Sequence, residues 1–269
     1  MSGVPEPADP EVQYLLLRAA IMRPITERLL RAAGVQRGSR VLDVRCGRGE
    51  VTMLAAEMVG PSGAVVGIDR CAETAAVARR RAAAADLPQV TVVHAELEEL
   101  ADSDPYDLVI GRYVLFHEAD PAYFVRQAAG FARAGGAVAF HECDMYRGFQ
   151  SFPRIPLVQQ VGDWVRSACL SALPNADVGA RMASVFLAAG LPFPSLFAES
   201  VVGGGEDWIA YRWMADTVRM LLPQIVHGGM ASEETIGIGS LETRLRNAVV
   251  RARSQVETEP QFCGWALVP

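Results

Sequence analysis

The feature that most restricts the fold of this chain is an alternation of strand-type and helix-type segments between residues 40 and 141. Apolar runs of strand length are predicted at Arg40–Val44, Ala64–Ile68, Val90–His94, Asp107–Gly111 and Gly136–His141. Helical patterns fill the intervals at Glu50–Met58, Glu73–Ala85 and Ala122–Ala134. Strands and helices in this order indicate an α/β fold, in which a mostly parallel sheet carries helices on both faces.

The flanking segments are more helical. Residues 11–33 show the apolar spacing of a helix, and Pro24 is expected to break or kink it. After residue 145 the pattern predicts helices at Val158–Ala172 and Val178–Ala189, a sixth strand at Ser195–Val202 and a final strand at Gln261–Val268.

Composition narrows the classes of function. The net charge of −6 disfavours a nucleic-acid groove. All 25 basic residues are Arg, so a Lys Schiff base and a P-loop Lys are excluded. No apolar stretch approaches the roughly 18 residues of a membrane span, and the N-terminus does not read as a signal peptide. The five cysteines show no disulfide framework or metal-ligand spacing, so we expect reduced thiols, no metal and a cytoplasmic location.

A glycine-containing loop follows the first predicted strand and opens the next helix. It lies within Val41 to Gly49, which reads VLDVRCGRG. Glycines let the backbone turn tightly and approach a ligand closely, and the N-terminus of the following helix offers free N–H groups. Asp69 ends the second strand about 20 residues past the loop, where a carboxylate can accept hydrogen bonds from two ribose hydroxyls. The pair predicts a nucleoside site.

Two later motifs make a family resemblance specific. The segment VHAELEEL runs from Val93 to Leu100, and YDLVIGRYVLFH runs from Tyr106 to His117, followed by Asp120-Pro121. In this order the motifs resemble those of class I S-adenosylmethionine (SAM)-dependent methyltransferases, of the small-molecule, ubiquinone-biosynthesis-like kind that includes natural-product enzymes. The resemblance covers residues 35–145. It implies a Rossmann-like seven-stranded sheet with a helical cap, and SAM as the cofactor.

The expected cofactor-binding residues follow these motifs. They are Asp43, Arg45, Cys46, Gly47, Gly49, Asp69, Arg70, Glu96, Leu97 and Arg112. By resemblance, Glu96 matches the acidic residue near the adenine amino group. Arg45 departs from the pattern, because the family has glycine there. Its side chain can crowd the cofactor, swing outward or pair with the cofactor carboxylate.

The candidate catalytic residues are Glu142, His141 and His227. His141 and Glu142 end the fifth strand, where open α/β sheets bind ligands, and either is a candidate base or acceptor-orienting group. His227 is a candidate base in the predicted cap. Methyl transfer from a sulfonium is an in-line displacement, so a base is needed only when the acceptor must lose a proton.

The predicted organisation has five parts. They are an N-terminal helical lid (1–35), a SAM-binding core (36–145), the remainder of the core with a substrate-side helix (146–205), a helical cap (206–258) and a final strand (259–269). We expect an apolar small-molecule acceptor from secondary metabolism, no nucleic-acid or membrane partner, and a monomer or homodimer.

Three other functions stay open. Arg45 motivates the first, a methyltransferase-fold protein that has lost methyl transfer and acts as a cyclase, isomerase or binding protein. An NAD(P)-dependent oxidoreductase is disfavoured, because the loop lacks the Gly-x-Gly-x-x-Gly order and a Tyr-x-x-x-Lys pair cannot exist without Lys. The third is a scaffold protein without a ligand.

Overall fold

The strands and helices of the computed structural model follow the predicted alternation, and the structure describes residues 10–100 and 104–269. The strands are β1 (Arg40–Val44), β2 (Ala64–Asp69), β3 (Val90–His94), β4 (Tyr106–Arg112), β5 (Ala132–Cys143), β6 (Gln150–Phe152), β7 (Ser195–Glu199), β8 (Val202–Gly203), β9 (Gln255–Glu257) and β10 (Gln261–Leu267). The helices are α1 (Pro10–Ala32), α2 (Glu50–Val59), α3 (Ala72–Ala84), α4 (Pro121–Ala129), α5 (Pro156–Ala172), α6 (Met182–Ala188), α7 (Ala210–Met220), α8 (Leu222–His227), α9 (Glu233–Ile236) and α10 (Leu241–Ala252).

The chain divides into two compact units. The sheet unit comprises Arg23–Cys143, Asp177–Glu199 and Gln261–Pro269. The helical unit comprises Asp144–Ala176, Ser200–Pro260 and the described part of the N-terminal segment up to residue 22. The domain boundaries drawn from the sequence stay predictions, and residues 1–9 of the predicted lid lie outside the described residues.

The sheet unit contains seven strands in the order β3-β2-β1-β4-β5-β10-β7. The first five are parallel neighbours, whereas β10 runs antiparallel to both β5 and β7. The predicted seven-stranded, mostly parallel sheet is therefore confirmed. Central parallel strands are buried on both faces, which explains why Val41, Leu42 and Val44 of β1 are all buried.

The strand order reverses between β1 and β4. The chain proceeds from β1 through β2 to β3 on one side of the sheet, then returns to place β4 and β5 on the other side. Open α/β sheets bind ligands at such a reversal, in the crevice outside the carboxyl ends of the strands. The residues that follow β1 and β4 therefore form the candidate site.

The helical unit combines α5, α7, α8, α9 and α10 with a three-stranded antiparallel sheet in the order β6-β9-β8. Aromatic side chains fill its interior. Trp213, Tyr211 and Phe149 are almost fully buried, and the Trp213 ring meets the Phe149 ring edge-to-face at a centroid distance of 5.9 Å. These side chains belong to the packed core of this unit.

Four local predictions differ from the structure. The helix predicted at Ala122–Ala134 ends at Ala129, and β5 begins at Ala132, ahead of the predicted start at Gly136. Pro24 does not break α1, which continues through it to Ala32, and the alternative of a kink at Pro24 stays a prediction. Proline removes one helical hydrogen bond, and the burial of residues on the following turns offsets that loss. The predicted sixth strand ends at Glu199. The helix predicted from Val178 starts at Met182, and the residues before it form turns, in which the Arg181 N–H donates to the Val178 carbonyl at 3.1 Å.

Neither a membrane-spanning helix nor a cluster of metal-ligating side chains is found in residues 10–100 and 104–269. No helix in these ranges is long and apolar enough to cross a membrane. In the same ranges, no group of three or more His, Cys, Asp and Glu side chains could hold a metal ion, and independence from metal stays a prediction. All five cysteines are described and free, and Cys71 is the exposed one.

Candidate functional site

The carboxyl ends of β1 and β4 carry two non-glycine residues with left-handed backbone. Arg45 has φ 55° and Tyr113 has φ 59°. For residues other than glycine this conformation costs about 1–2 kcal/mol, and it persists where the surrounding structure determines it strongly. Both residues sit at the reversal of strand order, so the local backbone strain coincides with the crevice where ligands are expected.

The loop after β1 is built on two glycines with different tasks. Gly47 has φ 56°, and a Cβ placed there would meet no atom within 4 Å, so its backbone borders open space. Gly49 has φ 85°, and a Cβ there would lie 3.1 Å from the Ala78 Cβ. Gly49 therefore permits close packing of the loop against α3, whereas Gly47 faces open space, and its role in binding a ligand stays a prediction.

The carboxylate of Asp69 at the end of β2 anchors this loop. Its Oδ2 accepts a hydrogen bond from the Gly47 N–H at 2.8 Å. Its Oδ1 accepts from the Cys71 N–H at 2.8 Å and from the Thr74 hydroxyl at 2.9 Å. An ionised carboxylate has about four acceptor sites, so Asp69 keeps capacity for a ligand. Arg70, the next residue, is exposed.

The Arg45 side chain forms a charged bridge with two glutamates. Its Nη1 lies 2.6 Å from Glu96 Oε2, and its Nη2 donates to Glu118 Oε1 at 3.3 Å. The Nη1–H is poorly aligned with the Glu96 oxygen, so this contact is an ion pair without a good hydrogen bond. The guanidinium carbon lies 5.8 Å from the centre of the Phe124 ring. Two predicted cofactor residues, Arg45 and Glu96, are thus brought together by direct pairing.

Asp43 and Cys46 lie beneath the loop and are buried. Asp43 Oδ2 accepts from the Thr52 hydroxyl at 2.6 Å. Burial raises the pKa of Asp43 to about 7, while the Thr52 hydrogen bond and the charge of Arg112 oppose the rise. Burial likewise raises the pKa of the Cys46 thiol. These contacts support the loop from inside the protein. Leu97, beside Glu96, is also buried.

A chain of hydrogen bonds connects Arg112 to the interior of the sheet unit. Arg112 Nη1 donates to Thr26 Oγ1 at 3.1 Å, and Thr26 Oγ1 lies 3.0 Å from His141 Nδ1. His141 Nε2 lies 3.2 Å from Gln261 Oε1, which also accepts from the Tyr113 hydroxyl at 2.7 Å. Because the Gln261 oxygen can only accept, a neutral His141 carries its proton on Nε2 and accepts from Thr26. Both ring nitrogens of the fully buried His141 are therefore engaged.

Glu142 stabilises the turn after β4. Its Oε1 accepts from the backbone N–H groups of Val114 and Leu115, both at 2.8 Å. Its Oε2 is buried and has no hydrogen-bond partner. Burial raises the pKa of Glu142 to about 8, against the opposing effect of the backbone hydrogen bonds. The raised pKa favours the protonated form of this carboxyl at neutral pH.

The third catalytic candidate belongs to a different compact unit from the other two. His227 ends α8 in the helical unit and is exposed, whereas His141 and Glu142 belong to the sheet unit. The catalytic roles of all three stay predictions.

Four residues of the site were missed by the sequence reading. They are Thr26, Tyr113, Glu118 and Gln261. Glu118 lies one position past the fourth motif, so extending that motif to the next helix would have found it. Thr26 and Gln261 carry no motif signal and lie 115 and 120 positions from His141.

Known proteins share this architecture. A family model described as a methyltransferase domain matches residues 36–177. A demethylmenaquinone methyltransferase from Shouchella clausii is 31% identical over 47% of this chain and 52% of its own length. The chain spans about half the length of the curated relatives it matches.

Two solved structures have a similar fold. The YcgJ protein from Bacillus subtilis has a TM-score of 0.58 at 17% identity, over 92% of this chain and 99% of its own. A SAM-dependent methyltransferase from Aquifex aeolicus has a TM-score of 0.51 at 18% identity, over 72% of this chain and 93% of its own.

Proposed function

The chain belongs to the class I SAM-dependent methyltransferases, and from that premise we propose that it transfers a methyl group from SAM to an apolar small-molecule acceptor of natural-product type. SAM supplies a methyl group already activated on a sulfonium, so the protein mainly has to position two reactants. Good positioning can lower a barrier by roughly 7–11 kcal/mol.

The observation that carries the proposal is the set of groups at the reversal of strand order. The backbone of Gly47 borders open space, and Asp69 is held rigidly beside it. Glu96 follows the outer strand β3 with a partly exposed carboxylate. Carboxylates that accept hydrogen bonds from hydroxyl and amino groups, next to an open glycine backbone, fit a nucleoside. Asp69 would hold the ribose, and Glu96 would receive the adenine amino group.

Positioning, rather than proton removal, is the proposed contribution of the sheet unit. Both nitrogens of His141 are engaged in hydrogen bonds. The raised pKa of Glu142 favours its protonated form at neutral pH, and a protonated carboxyl cannot accept another proton. Neither group is ready to act as a base without rearrangement, which favours an acceptor that needs little help with deprotonation.

The apolar acceptor is supported by two observations. Several matched relatives are named demethylmenaquinone methyltransferases, and the net charge of −6 offers little attraction to a polyanion. The same reasoning supports a small molecule over a nucleic acid as partner. Secondary metabolism, a cytoplasmic location and a monomeric or homodimeric state stay predictions.

Replacing Asp69, the proposed ribose ligand, with Asn removes one acceptor oxygen and tests the proposal. Isothermal titration with S-adenosylhomocysteine should show binding to the unmodified protein. Asp69→Asn should weaken that binding at least about tenfold, because an amide turned towards a donor leaves hydrogen bonds unmade. No binding at millimolar ligand to the unmodified protein would refute the proposal.

A matched substitution controls for general damage. Asp86→Asn makes the same chemical change at an exposed residue with φ 53°, a conformation that Asn tolerates. It should leave the affinity unchanged. Equal affinities in Asp69→Asn and the unmodified protein would mean that Asp69 supports the loop without touching the ligand.

A second candidate function keeps the fold and omits methyl transfer. The pairing of Arg45 with Glu96 favours it, because the group expected to receive the adenine is already engaged. A protein of this kind would act as a cyclase, isomerase or binding protein, and its turnover would persist after SAM is stripped from it. Loss of turnover when SAM is stripped would argue against this candidate.

A further inference from the structure

The charged bridge consists of Arg45 and its two partners, Glu96 and Glu118. It connects loops that lie on both sides of the point where the strand order reverses. Glu96 follows β3, Glu118 follows β4, and Arg45 follows β1. Since the strands lie in the order β3-β2-β1-β4, the three side chains bridge the carboxyl edge that the proposed function assigns to the cofactor. The bridge is partly buried, with 18% of the Arg45 side chain exposed.

We propose that Arg45 competes with the cofactor for Glu96, so that the Arg45–Glu96 ion pair must open before the adenine amino group can be received. This inference rests on the proposed function. If the inference holds, Arg45 lowers the affinity for the cofactor. The alternative is that Arg45 binds the cofactor carboxylate and raises that affinity.

The geometry of the pair favours competition. The Glu96 carboxylate is the better exposed partner, at 39%, and the Nη1–H of Arg45 is poorly aligned with it. An ion pair that is misaligned, and whose carboxylate is open to solvent, contributes modest net stability, so a ligand with well-directed hydrogen bonds can replace it. Glu118 would keep the guanidinium paired after Glu96 is released, because it accepts from the other terminal nitrogen.

Charge also distinguishes competition from clamping. Adenosine is uncharged and has no carboxylate, whereas S-adenosylhomocysteine has one. If Arg45 competes for Glu96, removing its charge strengthens the binding of both ligands. If Arg45 clamps the carboxylate, removing it weakens S-adenosylhomocysteine and leaves adenosine unchanged.

The experiment is isothermal titration of both ligands into the full chain and two variants. Arg45→Gly removes the side chain and relieves the left-handed backbone, while Arg45→Met keeps the bulk and removes the charge. Both variants should bind adenosine and S-adenosylhomocysteine about twofold to fivefold more tightly, the range expected for release of a partly exposed ion pair. Raising NaCl from about 0.05 to 0.5 M should tighten adenosine binding to the unmodified protein, because salt screens the pair, and should change the Arg45→Met variant less.

The matched control is Arg80→Met, which makes the same charge change at an exposed position of α3 and should leave both affinities unchanged. Weaker S-adenosylhomocysteine binding in the Arg45 variants would overturn the inference in favour of clamping. Tighter binding in Arg45→Gly alone would overturn it in favour of crowding, and unchanged affinities in both variants would overturn it while the proposed function stands. If neither adenosine nor S-adenosylhomocysteine bound to any of the proteins, both this inference and the proposed function would be overturned.

Discussion

Replacing Glu142 with Gln should stabilise the protein increasingly as the pH rises. The Gln carbonyl can accept the same backbone hydrogen bonds from Val114 and Leu115. Its NH₂ takes the place of the protonated oxygen, so the variant resembles the neutral form of Glu142 at every pH. Between pH 5.5 and 8.5 the free energy of unfolding of Glu142→Gln should rise relative to the unmodified protein by up to about 3 kcal/mol.

The sign follows from the direction of the pKa shift. The pKa of Glu142 is about 8 in the folded protein and near 4.5 when the chain is unfolded. In this interval the folded state binds the proton and the unfolded state does not, so stability falls as the pH rises. The contribution of Glu142 is fully present below its unfolded pKa and is lost as the pH passes through about 8. The difference between variant and unmodified protein should therefore level off above that value.

Urea unfolding at several pH values measures this effect. Asp43 and Glu259 also have pKa values raised to about 7 by burial, so the unmodified protein should lose stability with pH for more than one reason. Only the difference between the two proteins isolates Glu142. Glu73→Gln, an exposed carboxyl in the first turn of α3, should show no such trend. A pH-independent offset for Glu142→Gln would mean that the folded protein holds this carboxylate ionised.

The sheet could be predicted from the sequence, because strands buried on both faces are predominantly apolar along their length. This is why β1, β2 and β4 were located to within one residue. The polar residues at the strand ends could be predicted as well. Asp69 and Glu96 stand out because each ends or follows an apolar run at the edge where parallel strands of this kind bind ligands.

The partners of these residues could not be predicted in the same way. Arg45 pairs with Glu118, which lies 73 positions away, and no periodicity connects residues over that distance. The protonation of Glu142 depends on its complete burial and on two backbone N–H groups of another strand-end turn. Such properties arise from tertiary packing, so a strand-end glutamate looks the same in sequence whether it is a base or a buried neutral group.

The hydrogen-bonded chain through His141 gives the second large expected effect. His141→Leu should lower the free energy of unfolding by about 2–4 kcal/mol, because the apolar side chain fills the space but makes neither hydrogen bond. Thr26 loses its acceptor and Gln261 loses one of its two donors. Both losses occur around a ring with no solvent exposure, where water cannot replace the missing partners.

Urea unfolding at a single pH measures this loss, and two further variants identify its origin. Tyr113→Phe removes one hydroxyl donated to Gln261 while leaving both His141 contacts in place, so its effect should be smaller, about 1 kcal/mol. Gln261→Leu combined with His141→Leu should cost less than the sum of the single changes, by at least about 0.5 kcal/mol, because both remove the same hydrogen bond.

The result also decides between two roles for His141. If His141 acted only as a base in the reaction, replacing it with a residue of similar size would change the free energy of unfolding by no more than about 0.5 kcal/mol. The substitution would then lower turnover alone. A residue that joins α1, β5 and β10 through its two nitrogens must instead show the stability loss and the non-additivity with Gln261. Full stability in His141→Leu would contradict the structural role, and we expect the opposite because every polar atom of the ring is already engaged.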